Sequence, residues 1–186
     1  EIKMTISFNG KARYQKTFSA DAQRDTIEKA VLEDERSIKY IGEKEIKGPE
    51  HNPLILQFWK DIKRGGIKDD ETPWCAAYVG GVLERSGITS SRFESAASYL
   101  NWGVKLDKPA YGCVVVFSRD GGGHVGFVVG QQANGDLMVL GGNQSDAVNI
   151  RAFSTSRVSG YRWPKDIPVD VQPLPQLSGT RSVSES

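Results

Sequence analysis

The sequence predicts an α+β fold in which helices come first and an antiparallel sheet follows. Apolar residues recur at helical spacing in the first part of the chain. After Pro109, β-branched runs alternate with turns rich in glycine and polar residues. This order is typical of an α+β arrangement rather than of alternating βαβ units. A length of 186 residues is enough for one domain with a core of its own.

Composition and charge exclude several classes of protein. A formal net charge of +1 argues against a dedicated nucleic-acid binder. No run of about 18 apolar residues is present, so we expect no membrane span. The chain starts with Glu1 and lacks the apolar core of a signal peptide, so we expect a fragment or a processed form. The two cysteines and two histidines are too far apart for zinc, and we expect no metal or other cofactor.

In residues 1–20, apolar and polar residues alternate on both sides of Asn9-Gly10, and this pattern predicts a β-hairpin that turns there. A two-residue loop would place Ile6 and Tyr14 on opposite faces. We favour a three-residue loop, because it gathers six apolar residues on one face: Ile2, Met4, Ile6, Phe8, Tyr14 and Phe18. We expect this hairpin to be an extension that docks on the core domain or on a partner.

Four helices are predicted before the sheet. They cover 21–41, 54–62, the stretch that contains Cys75 and ends near Gly87, and 92–103. The second has the clearest start, because Asn52 fits the N-cap and Pro53 the first helical position.

Four strands are predicted after the helices, at 113–118, 124–130, 137–142 and 158–164. The proline- and serine-rich segment 165–186 predicts a linker or tail. The chain therefore divides into a hairpin extension (1–20), a core domain (21–164) and a tail (165–186).

Cys75 lies at the predicted start of a helix, in 71-ETPWCAAYVGG-81. Thr72 fits the N-cap and Pro73 the first helical position, so Cys75 falls in the first turn. Unpaired N–H groups and the helix dipole favour an anion there, such as a thiolate. The acidic residues 69–71 oppose this, so a histidine partner would be needed. Buried packing is the alternative for a lone cysteine among small residues.

His124 is the candidate base for Cys75, because it opens an apolar strand directly after a glycine run. If strands 124–130 and 137–142 pair as a hairpin, Asn143 lies next to His124 and its amide oxygen can hold the imidazole ring. The order Cys, His, Asn is typical of an acyl-transfer site. As alternatives, His124 could be a polar strand cap and Asn143 an ordinary turn residue.

The second cysteine and the second histidine have different predicted roles. Cys113 lies inside an apolar run without a helix start, so we predict that it is structural. His51 lies in a loop flanked by prolines, where a role at the surface or at the helix entry is predicted.

Four stretches together resemble a known family. They are 46-IKGPEHNPLIL-56, 70-DETPWCAAYV-79, 111-YGCVVVFSRDGGGHVGFVVG-130 and 139-VLGGNQSDAVNI-150. They resemble the CHAP and NlpC-like peptidoglycan hydrolases, above all the phage-associated endolysins and tail-borne lytic proteins, over about Ile38 to Trp163. The resemblance implies a papain-like cysteine hydrolase domain with Cys75 as nucleophile, His124 as general base and then acid, and Asn143 as the residue that orients the ring.

The implied reaction is hydrolysis of a peptidoglycan amide bond through a thioester, at the bacterial cell wall. Either a muramoyl-L-alanine amidase or a stem or crosslink endopeptidase fits. Trp74, Tyr78 and Trp102 are candidate groove walls, with core packing as the alternative. Glu71 is a candidate for binding an amine or amide of the stem peptide, or it helps to cap the helix.

Two rival functions stay open at the level of the sequence. The first is a secreted antibacterial toxin domain with the same chemistry, in which residues 1–20 contact a carrier or an immunity protein. The second is a non-catalytic module that binds the cell wall. The presence of all three candidate catalytic residues (Cys75, His124 and Asn143) argues against this second function.

Overall fold

The computed structural model describes residues 2–8, 12–18, 40–119, 122–165, 167–169 and 173–178. Two strands, β1 (Ile2–Phe8) and β2 (Ala12–Phe18), come first, and two helices follow, α1 (Pro53–Asp61) and α2 (Cys75–Arg85). Two short 3-10 helices cover Ala96–Asn101 and Thr155–Arg157. The remaining strands are β3 (Val104–Leu106), β4 (Val114–Arg119), β5 (Gly122–Gln131), β6 (Leu137–Gly141), β7 (Asn149–Phe153) and β8 (Val158–Trp163).

The β1–β2 hairpin has the register that the sequence favoured. Phe8 pairs with Ala12, which leaves three residues for the loop, and Ile6 pairs with Tyr14. Residues that pair directly across two antiparallel strands share a face. The pairing therefore confirms the register of the three-residue loop.

The other six strands form one antiparallel sheet, and this confirms the α+β fold class. Its strand order is β3-β8-β4-β5-β6-β7, with the longest strand, β5, in the interior. Helix α2 packs on β5 and β6, and α1 packs on α2. Within the described residues, no helix has the length and apolarity needed to cross a membrane.

Helix α1 begins as predicted, because the Asn52 side chain accepts a hydrogen bond from the Leu54 N–H at 2.9 Å and Pro53 is its first residue. The start of α2 was predicted two residues too early. The Asp69 carboxylate accepts the Thr72 N–H at 2.6 Å, in a turn that precedes the helix. The N-cap is Trp74, and Cys75 still falls in the first turn.

Other predictions need correction at the level of whole elements. The helix predicted at 92–103 is the shorter 3-10 helix Ala96–Asn101, capped by Ser95. Strands β3 and β7, which are the edges of the sheet, were not predicted. The helix predicted at 21–41 lies outside the described residues except for its last two positions.

Part of the predicted tail is ordered against the sheet. Gln131 at the end of β5 forms a parallel bridge with Gln176, and the Leu177 N–H donates to the Gln131 carbonyl at 2.9 Å. Residues 173–178 therefore dock on the core domain instead of leading away from it. Residues 170–172 and 179–186 lie outside the described residues.

Candidate active site

Cys75 is the first residue of α2 and is 5% exposed. The helix begins with the hydrogen bond from the Tyr78 N–H to the Trp74 carbonyl, at 2.9 Å. The N-cap residue, Trp74, makes no capping hydrogen bond with its side chain to the described residues. The N–H groups of its first turn therefore lack intrahelical partners, and such groups can stabilise negative charge on a thiolate or an oxyanion.

A carboxylate lies beside the start of this helix. The Trp74 indole Nε1–H donates to Oε1 of Glu45 at 2.9 Å. Burial raises the pKa of Glu45 above its ordinary value, although the hydrogen bond from Trp74 opposes this. The nearby carboxylates of Asp146, Asp70 and Glu71 raise the pKa of Glu45 further. The surroundings of the helix start are therefore negatively charged.

The His124 ring is buried in the sheet, with 1% of the residue exposed. It stacks on Phe153, with ring centroids 5.3 Å apart and planes 8° apart, and on Phe117, with centroids 6.2 Å apart. Its Nε2 atom lies 2.9 Å from Oε1 of Gln144. Ring stacking and this hydrogen bond together fix the orientation of the imidazole.

The side chain that forms a hydrogen bond with the imidazole ring is that of Gln144 and not that of Asn143. Strands β5 and β6 pair as predicted, with Phe127 opposite Leu140, and continuing this register would bring Asn143 opposite His124. However, β6 ends at Gly141, and Asn143 has a φ of 56°. This left-handed conformation takes Asn143 out of the ladder, and its buried Oδ1 has no hydrogen-bond partner among the described residues.

The start of α2 and the His124 ring both approach the glycine pair Gly141-Gly142 at the end of β6. A Cβ atom on Gly141 would lie 3.2 Å from Nε2 of His124. A Cβ atom on Gly142 would lie 2.6 Å from the side chains of both Trp74 and Tyr78. The contact of 2.6 Å at Gly142 is closer than real Cβ atoms approach, and a Cβ atom on Gly141 would lie 2.3 Å from Oε1 of Gln144, so the glycine pair leaves space for the helix start and for the side chain that holds the histidine.

The other predicted site residues are in different places. Trp74 and Tyr78 are fully buried, so core packing, and not a groove wall, is the role that the structure supports for both. Trp102 lines a surface cavity of about 410 Å³ together with Ile88 at the far end of α2. Glu71 is exposed, four residues before Cys75.

A second cluster near the site was not predicted. The fully buried Asp70 carboxylate accepts the N–H groups of Ile46 and Asn52 at 2.9 and 2.8 Å, and it lies 3.0 Å from Nδ1 of His51. It ties the segments before α1 to the loop before α2. His51 therefore has the helix-entry role that the sequence favoured, but the sequence carried no signal for its partner.

A cysteine that begins a helix, packed on an antiparallel sheet with a buried and oriented histidine, defines a papain-like α+β domain. Residues 67–143 match the model of the CHAP domain. CHAP domains are in general cysteine- and histidine-dependent amidases or peptidases of peptidoglycan. The matched range includes Cys75 and His124 and ends one residue before Gln144.

Short similarities to curated proteins concern a different family. One match of 40 residues is 62% identical to leucine–tRNA ligase of Bacteroides thetaiotaomicron, and another match of 40 residues is 52% identical to that of Phocaeicola vulgatus. Each match covers 22% of this chain and only 4% of the ligase. A match of that extent does not transfer the activity of the ligase to this chain. No solved structure matches.

Proposed function

We propose that this chain hydrolyses an amide bond of peptidoglycan through a thioester on Cys75, with His124 as the general base and acid. The observation that carries the proposal is the buried His124 ring, which Gln144 orients. The ring lies next to Gly141, and the start of α2 packs against the adjacent Gly142. An amidase that cuts next to L-alanine and an endopeptidase of the stem or crosslink share this chemistry.

The proposed reaction has two halves. The Cys75 sulfur attacks the amide carbonyl after its proton passes to His124, while N–H groups at the start of α2 stabilise the oxyanion. His124 then returns the proton to the leaving amine, and a thioester remains. Water, activated by His124, hydrolyses the thioester and restores the free thiol.

The charge around the site supports a substrate that carries amino groups. Glu45 and Glu71 belong to the group of carboxylates near the helix start. Glu71 is exposed and remains our candidate for contact with an amine or amide of the stem peptide. The resemblance to phage-associated lytic proteins supports phage lysis or penetration of the bacterial cell wall as the setting.

The test is digestion of purified peptidoglycan with product analysis by mass spectrometry. We expect Cys75→Ala to lower the rate by at least about a thousandfold, because the nucleophile is lost. The matched control, Cys113→Ala, removes the other thiol and should keep most of the activity. Equal digestion by wild type and Cys75→Ala would rule out the mechanism. The new termini in the wild-type products identify the bond that is cut.

A further inference from the structure

The side-chain amide of Gln144 is fixed by oxygen atoms on the side away from His124. Its nitrogen, Nε2, lies 2.9 Å from the main-chain oxygen of Asn149, 2.9 Å from Oδ1 of Asn149 and 3.3 Å from the main-chain oxygen of Val139. Carbonyl oxygens can only accept hydrogen bonds. The amide nitrogen must therefore face these atoms, and Oε1 must face His124.

Asn149 is itself fixed in the same way. Its Nδ2 atom donates to the main-chain oxygen of Gln144 at 2.7 Å. Since this oxygen accepts only, the Asn149 amide has one favourable orientation, in which Oδ1 faces the amide nitrogen of Gln144. The two side chains hold each other, and main-chain oxygens of Val139, Gln144 and Asn149 anchor the pair.

We propose that Asn149 is a positioning residue that acts through Gln144 to keep the proton of the neutral His124 ring on Nε2. The Gln144 oxygen that lies 2.9 Å from Nε2 can only accept, so Nε2 has to donate. The other ring nitrogen, Nδ1, then carries the lone pair. Under the proposed function, on which this last step rests, Nδ1 is the atom that takes the Cys75 proton.

The burial of Gln144 and His124 makes their hydrogen bond sensitive to changes in the half-buried Asn149. Gln144 is 0% exposed and His124 is 1% exposed, so water cannot readily replace a missing hydrogen bond. Without the Asn149 side chain, the Gln144 amide loses one acceptor, and the main-chain oxygen of Gln144 loses its donor. The Gln144 oxygen is then held less firmly against His124, and the reactive ring orientation is less populated.

The position of the ring proton can be measured without any activity assay. Protein labelled with ¹⁵N-histidine, studied by NMR at alkaline pH where imidazoles are neutral, shows which ring nitrogen carries hydrogen. The chain has two histidines, and His51→Gln assigns the signals of His124. We expect the proton on Nε2 in wild type and faster exchange of this proton with water in Asn149→Leu. A proton on Nδ1, or unchanged exchange in the variant, would overturn the proposal.

Kinetics separate a positioning role from a merely structural one. We expect Asn149→Leu to lower kcat about tenfold at unchanged KM, the scale of one or two lost hydrogen bonds. Asn149→Asp keeps the acceptor for Gln144 and should recover part of the loss. In a Gln144→Leu background, Asn149→Leu should cost nothing more. Additive losses in the double variant would show that Asn149 does not act through Gln144.

The two proposals fail in distinguishable ways. If wild type digests no peptidoglycan, the proposed function fails, but the NMR measurement still tests the position of the proton. If wild type is active and the proton is on Nδ1, the proposed function stands and the role of Asn149 is refuted. Asn101→Leu, at an exposed asparagine of the 3-10 helix Ala96–Asn101, is the control and should match wild type in both measurements.

Discussion

Cys75 and Cys113 differ in the surroundings that decide whether a thiol reacts. Cys113 is fully buried beside β4, and burial raises its pKa to about 12. Cys75 is 5% exposed at the first position of α2, where N–H groups lack intrahelical partners. The thiolate is the reactive form of a cysteine. The structural role that the sequence predicted for Cys113 agrees with its burial.

We therefore expect one of the two thiols to be alkylated selectively. At pH 8, a thiol with a pKa of about 12 is ionised in only about one molecule in ten thousand. Iodoacetamide should modify wild type and Cys113→Ala quickly and at one site, as measured by intact mass. Cys75→Ala should react slowly. Comparable alkylation rates for the two thiols in native protein would contradict this prediction.

Asp70 is the buried carboxylate that ties the segment before α1 to the loop before α2. Burial alone would raise the pKa of Asp70, but hydrogen bonds from the Ile46 and Asn52 N–H groups and from His51 outweigh it, and the pKa lies below its ordinary value. A carboxylate with a lowered pKa in the folded state stabilises the fold above its unfolded pKa. That contribution is lost as the pH falls through the folded value.

We expect Asp70→Asn to destabilise the fold by about 2–3 kcal/mol at pH 7, because the amide has no negative charge for the two main-chain N–H groups on Oδ2 and no second acceptor oxygen for Nδ1 of His51. The free energy of unfolding is measured by urea denaturation at several pH values. The difference from wild type should shrink as the pH falls below the unfolded value of about 3.8. Asp107→Asn, at an exposed aspartate, is the control. A deficit that is the same at every pH would refute the assigned role of the charge.

At the scale of elements, predictions that depend on neighbouring residues succeeded most often. Asn52 and Pro53 mark the start of α1 because capping involves atoms only two residues apart. The start of α2 was predicted two residues too early because Thr72 lies in a turn, in which Asp69 accepts its N–H, and the helix begins only after Trp74. Strand β7 escaped prediction because Asn149 and Arg151 interrupt its apolar pattern, and it exists through its pairing with β6.

The distinction between interactions of neighbouring residues and interactions of distant ones also explains how much of the candidate site could be predicted. The positions of Cys75 and His124 at a helix start and in a strand follow from local sequence. The choice between Asn143 and Gln144 does not, because it depends on a loop with positive φ angles at Asn143, Ser145 and Asp146. A change from the extended to the left-handed region redirects the side chains that follow, and periodicity carries no information about such a change.

The contact between α2 and the end of β6 should depend on the absence of a side chain at Gly142. Because Trp74 and Tyr78 are fully buried, they cannot move away from a new Cβ atom. We expect Gly142→Ala to cost about 1–3 kcal/mol of stability and to displace the start of α2. Thermal unfolding measures the loss of stability, and the rate of peptidoglycan digestion measures the effect of the displaced helix start.

The matched control for Gly142→Ala is Gly66→Ala, where a Cβ atom would meet nothing within 4 Å. The control should keep the unfolding temperature and the activity of wild type. If both alanine variants behave alike, the close approach at Gly142 does not hold the site together. Loss of activity without loss of stability would indicate that the helix start alone has moved.

At the scale of the whole molecule, the six-stranded sheet connects the site with the C-terminal segment. One end of β5 carries His124, and its other end reaches Gln131, where residues 173–178 dock. A Cβ atom on Gly130 would lie 2.6 Å from the Leu177 side chain, so the glycine leaves the space that the leucine fills. The docked segment is thus built into the sheet at the end remote from the site.

The docking of this segment predicts a local pattern of amide exchange. Gln131 N–H donates to the Pro175 carbonyl at 2.8 Å, and Leu177 N–H donates to the Gln131 carbonyl at 2.9 Å. Both amides should exchange slowly in wild type. Leu177→Ser removes the apolar contact at Gly130, a loss of about 1–2 kcal/mol, so both amides should exchange about tenfold faster or more.

Hydrogen exchange followed by NMR or mass spectrometry checks this prediction against two references. Amides at the centre of the β5–β6 pair, such as that of Val139, should be unaffected because the loss is local. Ser178→Ala, which changes an exposed neighbour of Leu177, should leave all of these rates at the wild-type level. If Leu177→Ser accelerates exchange throughout β5 and β6, the segment stabilises the entire sheet. If it changes nothing at Gln131, residues 173–178 do not dock there in solution.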